Sequence, residues 1–529
     1  MELRSYIIRL LVFLFCISIF FSCSRSQERH PNIVFFLVDD LGWRDLGCYG
    51  SEFYETPNID RFAEESVRFT EAYAACHVCS PTRASIMTGK YPARLGLTDW
   101  LSGRKDYPFQ QLKNAVTIQH LPFEEITIAE ALKQHGYATG HYGKWHLGTD
   151  NSKPLAHGFD VQIPDWDWGW PKKGYHPPFE LDGIPDSPGD YLTDRLTDEA
   201  LKFIEDNQDQ PFFLYLSHFA VHDPIEGRPD LVEKYNAKLE QKPPPSGPAY
   251  ILEGNPDAKK PLSREALDEL IKKDSHQGYK VLPQQTVKIK QHQDNTEFAA
   301  MVETVDESLG RVLAKLEELQ LDDNTIVIFF SDNGGMSAGN FGYPDRVVDP
   351  SKLDKAFATS NLPLRGAKGW LYEGGIREPM IVKWPGQGNK GHVSEVPVIS
   401  TDFYPSILEM AGLPAMDEQH QDGKSFAPYL KGQAASDDRA IYWHFPHYSN
   451  HGMQSPGGAI RYGDYKLLEY YENGTTQLFN LKEDLGEQND LSQTNPEKVE
   501  ELTNMLQDWR KRVDASVMAP NPDYTGSNQ

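Results

Sequence analysis

With 529 residues the chain is too long for a single modest core and has room for two domains. A formal net charge of −25 excludes nucleic acid as a partner, because a polyphosphate backbone needs a basic face. The same charge leaves room for a local basic pocket, since salt confines exposed charges to a range of about 8–10 Å.

At the N-terminus, Arg4 and Arg9 flank the start of an apolar stretch, Leu10 to Phe21. It falls short of the roughly 20 residues of a membrane span and reads as a secretory signal over residues 1–22, which implies export. Cys23 then reads as the acylated first residue of a bacterial lipoprotein, anchored to a membrane from the periplasm or at the outer membrane. Ordinary cleavage near Ser22 to Ser26 is the alternative. Cys16 and Cys23 belong to this leader, which leaves Cys48, Cys76 and Cys79. An odd number of cysteines in an exported protein leaves one thiol over; a Cys48–Cys76 disulfide is compatible with that count.

Several apolar runs in the following 400 residues end in polar residues suited to chemistry. Asn32 to Val38 has the pattern of a buried strand and stops at Asp39-Asp40. Cys79-Ser80-Pro81-Thr82-Arg83 follows, with Pro81 and Thr82 placed to start a helix that Ala84 to Met87 continue. A helix start offers free N–H groups to an anion, Arg83 adds a fork of donors, and a cysteine there is electronically activated. Thr127 to His135 is helical in pattern. Tyr137 to Tyr142 is a strand leading into Gly143-Lys144-Trp145-His146-Leu147-Gly148. Pro164 to Trp170 interleaves tryptophans with aspartates, as sugar-binding surfaces do. Phe212 to Leu216 stops before Ser217-His218 and His222. From Asp223 to Asp294, around Pro243 to Pro248, the pattern loosens into an expected surface excursion. Asn295 to Leu319 places Phe298, Met301, Val305, Leu309, Val312 and Leu316 on one helical face, and Thr325 to Phe330 stops at Ser331-Asp332-Asn333.

Strands alternating with helices imply a mainly parallel sheet covered on both faces, with its ligand site beyond the strands' carboxyl ends. Residues 30–430 are assigned to this catalytic domain. The tail, 431–529, changes to alternating strands (Ala440 to His444, Tyr465 to Tyr470, Thr476 to Leu481) and a helix from Pro496, which suits a smaller α+β domain. Adjacent carboxylates such as Asp39-Asp40 repel each other unless a hard cation resolves the repulsion. With Asp332 and Asn333 they form an all-oxygen set suited to calcium, or less well magnesium, and not to zinc.

The run Cys79-x-Pro81-Thr82-Arg83, followed by Met87-Thr88-Gly89, resembles the signature of the type I sulfatases, in which the cysteine is converted to formylglycine. The resemblance spans roughly Pro31 to Leu491 and extends to bacterial polysaccharide-utilisation sulfatases. It implies an alkaline-phosphatase-like fold and a formylglycine-generating or anaerobic sulfatase-maturating enzyme as partner. It also implies calcium ligands at Asp39, Asp40, Asp332 and Asn333, with modified Cys79 facing the same ion. Gly143 to Gly148 is similar to the family's second signature and supplies Lys144 and His146, while His222 and Lys368 match the family's remaining histidine and lysine. By that resemblance, residue 79 attacks sulfur while Lys144, Lys368 and Arg83 hold the sulfuryl oxygens. His222 then protonates the leaving alcohol and His146 takes the proton that re-forms the aldehyde; Lys368 and His222 are interchangeable in the acid role. Leu485 stands where the family commonly has proline, in a turn remote from the chemistry. Expected substrates are sulfated polysaccharides or their oligosaccharides, algal ulvan, carrageenan or fucoidan or animal glycosaminoglycans, with Trp166, Trp168, His444 and His447 as candidate sugar contacts. A metal-dependent phosphatase or phosphodiesterase of the same superfamily, and a silent glycan-binding lipoprotein, are the competing readings.

Overall fold

The computed structural model describes residues 30–526 except 150, 274–275, 277–285, 340–356 and 434–438. The leader, with Cys16 and Cys23, lies outside the described residues.

The chain's first strand, β1 (Asn32–Val38), is buried along its whole length. Its apolar residues face both ways: Val34, Phe36 and Val38 enter one hydrophobic core, and Ile33, Phe35 and Leu37 enter another. Such two-sided burial is the mark of a central parallel strand. The other strands of its sheet are β2 (Val67–Tyr73), β3 (Ala138–Gly143), β4 (Val161–Ile163), β5 (Phe212–Ser217), β6 (Thr325–Ser331), β7 (Arg377–Lys383), β8 (Val393–Ser394) and β9 (Val398–Ile399). Nine strands run in the order β8-β2-β7-β6-β1-β5-β3-β4, with β9 also paired to β2. All pairings are parallel except those of β7, which runs antiparallel to both β2 and β6.

Helices cover both faces. On one side lie α1 (Pro57–Glu64), α4 (Leu192–Asp206) and α6 (Thr296–Glu318), whose Ile59, Leu196 and Phe298 share a core with Val34 and Phe36. On the other lie α2 (Cys79–Thr88), α3 (Ile128–Gln134) and α7 (Phe403–Met410), with Ile86, Ile128 and Phe403 packed on Phe35. Thr127 closes a capping box with Glu130 at the start of α3, and Asn295 caps α6 through the Phe298 N–H. Helix α2 begins at Cys79, two residues before the expected start at Pro81. The expected excursion over 223–294 has structure of its own: helix α5 (Pro229–Gln241) packs on the sheet's helical layer, and Tyr250–Glu253 pairs with Val287–Lys290.

A second sheet, an antiparallel meander, is formed by β10 (Ile441–Phe445), β11 (Gly457–Tyr462), β12 (Tyr465–Tyr470) and β13 (Thr476–Asn480). Strand β11, with two glycines at its start, gave no strand signal in the sequence. Leu502, Leu506 and Trp509 of α8 (Pro496–Arg512) share a core with Ile460 and Leu468, and that core continues into Tyr73, Trp370 and Tyr372. The two sheets are thus joined by a hydrophobic interior, tied further by the Trp443 indole N–H donating to Ala74 O at 2.8 Å. Cys48, Cys76 and Cys79 are all free, and Cys48 and Cys76 sit in different hydrophobic clusters, so the Cys48–Cys76 disulfide is not formed.

Candidate active site

The carboxyl ends of β1, β3, β5 and β6 deliver their polar residues to one rim, as the sheet's connectivity requires. Asp39 and Asp40 leave β1, Asp332 and Asn333 leave β6, and all four are buried completely. One oxygen from each of Asp39, Asp40 and Asp332 lies within 4.8 Å of the others. The Asn333 amide donates to Asp40 Oδ1 at 2.7 Å, leaving its own Oδ1 without a partner, and Asp39 Oδ1 has none either. Burial, then the Asp332 charge, pushes the Asp39 carboxyl up to about 8. Burial acts on Asp40 in the same direction, but Lys368 and His222 overcome it and hold that carboxyl well below the usual range. Three carboxylates in so dry a space cannot all ionise without added positive charge. An all-oxygen set with two unpartnered oxygens therefore fits a hard divalent cation.

Three cationic side chains surround the carboxylates. Lys144 Nζ donates to Asp39 Oδ2 at 2.6 Å, and Lys368 Nζ lies 2.7 Å from Asp40 Oδ1. Arg83 differs from the expected open donor. Its Nε donates to Asp332 Oδ2 at 2.7 Å, and its Nη1 donates to Lys144 O at 2.8 Å and Ser217 Oγ at 2.6 Å. Only Nη2 is unpartnered, 3.8 Å from Asp39 Oδ1. The guanidinium is thus a brace that fixes Asp332 and the start of the Lys144 segment, with little left for an outside anion.

Cys79 is the first residue of α2; Val78 before it supplies no side-chain cap, so the helix start keeps free N–H groups beside the thiol. Cys79 Sγ lies 3.2 Å from His146 Nδ1, and His146 Nε2 lies 2.7 Å from Leu101 O. The carbonyl can only accept, so Nε2 carries the proton and Nδ1 faces the cysteine as an acceptor. Burial, followed by the Lys144 charge, pushes the His146 pKa well below its ordinary value and keeps that lone pair free. His222 is the opposite case. Burial and Lys368 push it down, yet Asp40, Asp223 and Asp39 together raise it to about 9, with Nε2 3.7 Å from Asp40 Oδ2 and Nδ1 2.8 Å from Asp223 O. One histidine is held as a base and the other as an acid; a cation among the carboxylates would draw His222 back down.

The candidate sugar contacts divide. The tryptophan segment passes directly over His146: a Cβ on Gly169 would lie 2.3 Å from His146 Cε1. Trp166 is half-buried and donates to Trp170 O, whereas Trp168 is 42% exposed beside Trp170, which is 40% exposed. His444 and His447 do not serve as expected. His444 is bound at both ring nitrogens by the Tyr471 hydroxyl and Ser516 O, and His447 Nε2 is 2.8 Å from Thr98 Oγ1 with Asp99 on its other side. Both rings are thus tied into the fold, and His444 also lines a cavity with Tyr471 and Arg510. The tail's histidine that reaches the site is His451, buried, with Nδ1 unpartnered and the charges of Lys368, Asp40 and His222 acting on it. Its only sequence signal is a polar loop, Tyr448-Ser449-Asn450-His451-Gly452, between two strands.

Residues 31–413 match the family described as Sulfatase, and residues 367–514 match the C-terminal region described as N-sulphoglucosamine sulphohydrolase. A sulfatase of Formosa agariphila is 30% identical over 92% of this chain and 89% of its own length. An N-acetylglucosamine-6-O-sulfatase of Bacteroides thetaiotaomicron is 27% identical over 93% of this chain and 88% of its own. Among solved structures, Ps i-CgsB is similar with a TM-score of 0.68 and 26% identity, covering 91% of this chain and 93% of that one.

Proposed function

This chain belongs to the sulfatase family and is a sulfuric ester hydrolase, and on that premise we propose that it cleaves sulfate esters of carbohydrates, using calcium and a formylglycine made from Cys79. The observation that carries the reading is Cys79 Sγ facing the acceptor nitrogen of His146, beside two lysines and a carboxylate cluster with unpartnered oxygens. That sulfur stands in for the oxygen of the converted side chain. Asp39, Asp40, Asp332 and Asn333 would hold the calcium, which would supply positive charge against the sulfuryl oxygens, and hydrated formylglycine would supply a hydroxyl nucleophile.

The remaining work falls to the chain's own side chains. Lys144 and Lys368 orient the sulfate and offset its charge in a site closed to water. His222, with Nδ1 bonded to Asp223 O and Nε2 turned toward Asp40, is placed to give a proton to the departing sugar oxygen. His146 Nδ1 takes a proton from the side chain at position 79, which a plain thiol could not exploit to expel sulfate. Arg83 fixes Asp332 and the Lys144 segment.

Carbohydrate as the substrate class is supported by the named ester of the Bacteroides relative and by the structure of Ps i-CgsB in complex with k-i-k-neocarrahexaose. The exposed rings of Trp168 and Trp170, on either side of the Gly169 that packs on His146, are suited to the apolar face of a sugar. The leader pattern assigns the enzyme to the periplasm or, through Cys23, to an outer-membrane lipid anchor.

The test is to produce the protein with a formylglycine-generating enzyme, weigh the tryptic peptide containing residue 79, and compare release from aryl sulfate, aryl phosphate and sulfated oligosaccharides. The expected result is the mass of the aldehyde or its hydrate, with sulfate release that vanishes in Cys79→Ala. Full sulfatase activity with an unmodified thiol, or dominant phosphatase activity, would overturn the reading.

A further inference from the structure

Beside Lys368, at the seam between the catalytic domain and the C-terminal meander, three buried nitrogens have no hydrogen-bond partner: Trp100 Nε1, Arg104 Nε and His451 Nδ1. They belong to one corner. The rings of Trp100 and His451 meet edge to face with centroids 6.4 Å apart. Arg104 Nη1 donates to Ser449 O at 3.0 Å, and the Ser449 hydroxyl donates to His451 O while accepting from His451 N. This corner is wired to the chemistry on both sides. Leu101, between Trp100 and Arg104 in sequence, accepts from His146 and donates to Ser80 Oγ. His451 backs onto Gly369, where a Cβ would lie 2.1 Å from His451 O, so the loop touches the residue next to Lys368.

Arg104 is an unusual cation for this acidic chain. Its guanidinium lies 5.2 Å from the centre of the Tyr107 ring and 5.8 Å from that of Tyr448, and among the described residues no carboxylate oxygen comes within 4.0 Å of its side-chain nitrogens. The nearby Asp99 carboxylate accepts from the Arg104 backbone N–H instead. Buried donors left unmet are few in native proteins, and the unmet Arg104 Nε and Trp100 Nε1 of this corner call for an acceptor from outside. The rigid fork of an arginine matches the paired oxygens of a carboxylate or sulfate.

We propose that Arg104, with Trp100 and His451, forms a second anion subsite that receives a carboxylate or a further sulfate group on the glycan whose ester is cleaved. The inference rests on the sulfate-ester reading of the site around Cys79 and narrows its substrates to glycans bearing two anionic groups. The sulfate to be cleaved sits against Lys144 and Lys368, and the second anion meets Arg104 across the His451 wall. The C-terminal domain thereby supplies substrate selection.

The test uses three oligosaccharides that carry the same sulfate ester and differ in one other group: a hydroxyl, a uronate carboxylate or a second sulfate. Binding to calcium-loaded Cys79→Ser protein is measured by calorimetry, and sulfate release is measured with the matured enzyme. The expected result is at least tenfold tighter binding of an anionic member over the neutral one, with the carboxylate and sulfate arms identifying which anion. Arg104→Met should bring that preference to within twofold, and Arg104→Lys should keep part of it. Equal binding of all three by the parent protein, or an equal loss for all three in Arg104→Met, overturns the subsite. The preference can be read without the Arg104 variants, so misfolding of Arg104→Met leaves the test intact. Sulfate release without the preference overturns the subsite alone, whereas the preference without sulfate release supports the anion site and overturns the reading of these carbohydrate esters as substrates.

Discussion

Between the large sheet and the C-terminal meander lies a second buried charge cluster, whose polar atoms are spent differently from those at the strand ends. Glu373, Lys466 and Glu487 are fully buried there. Lys466 Nζ is 2.9 Å from both Glu373 Oε1 and Glu487 Oε1, while Glu373 Oε2 accepts from the Tyr73 hydroxyl at 2.8 Å and Arg377 Nη1 at 3.2 Å. Glu487 Oε2 accepts the Glu373 N–H, and Arg461 bridges Tyr73 to Glu71. Each carboxylate oxygen of Glu373 and Glu487 has a cation or a donor within 2.9 Å, Glu487 Oε1 through its ion pair with Lys466 alone and without a hydrogen bond. At the active site the same residue types are present, yet Asp39 Oδ1, Asn333 Oδ1 and Arg83 Nη2 make no hydrogen bond, and Arg83 Nη2 stands 3.8 Å from Asp39 Oδ1. A cluster that holds two sheets together closes on itself. A cluster meant to bind keeps its last contacts for the ligand, and the folded chain bears that cost.

The largest effect should come from breaking the open cluster. Asp40→Asn removes a charge that Lys368 uses and that the proposed calcium would use, and the loss of several kcal/mol of electrostatic stabilisation corresponds to a fall in kcat of about a thousandfold or more. The contrast sharpens in a melting experiment. Calcium should raise the Tm of the parent protein, chelation should reverse the rise, and Asp40→Asn should respond to neither. A parent protein whose melting ignores calcium would remove the distinction between the two clusters.

Next in size is the closed cluster. Lys466→Met leaves Glu373 and Glu487 buried without their shared cation, at a cost of about 3–5 kcal/mol in urea unfolding. The calcium-dependent rise in Tm should survive, because none of these residues touches the strand-end carboxylates. Loss of that rise in Lys466→Met would show the two clusters to be one system.

The contrast also explains what was legible in the sequence. The open cluster announced itself because its residues follow apolar strands: Asp39-Asp40 after β1, Lys144 and His146 after β3, Asp332-Asn333 after β6. Chain connectivity at the carboxyl ends of a parallel sheet places such residues on one rim, so pattern alone was informative. Strand β7 and the hairpin partner β11 were less legible, since one pairs antiparallel within a parallel sheet and the other is rich in glycine. The closed cluster gave no signal, because Glu373, Lys466 and Glu487 are far apart in sequence and look like ordinary surface charge until the sheets dock. The same holds for His451 and Arg104, which are brought together only by that docking. His444 and His447 misled because an aromatic run shows composition and not which ring nitrogens the fold has already used.

A smaller effect is expected from Arg83→Lys. A lysine keeps the charge but cannot bond Asp332, Lys144 O and Ser217 together, so Asp332 loses its fixed orientation. Calcium affinity, titrated by the rise in Tm or by calorimetry, should weaken by about 10–100-fold with the fold intact, the usual scale for a group that orients a ligand. An unchanged affinity would return Arg83 to the role of a donor to substrate.

The smallest effect tests the closed cluster by acid. Burial pushes the Glu373 carboxyl up, but Lys466, then Arg377 and Arg461, overcome it and hold it at about 2, against an ordinary value near 4.3 in the unfolded chain. Burial and the Glu373 charge push Glu487, which shares Lys466, the other way. The folded form of Glu373 therefore binds its proton later than the unfolded form as pH falls. The stability it contributes is complete above about pH 4.3 and is lost as pH falls through that value toward 2. In Glu373→Gln the acid limb of Tm against pH should be flatter over that window, on top of a lower Tm at neutral pH. Asp40→Asn should keep the parent's dependence on Glu373. An acid limb unchanged by Glu373→Gln would mean that the ion cluster between the sheets does not stabilise the fold through its charge, and that its closure reflects packing alone.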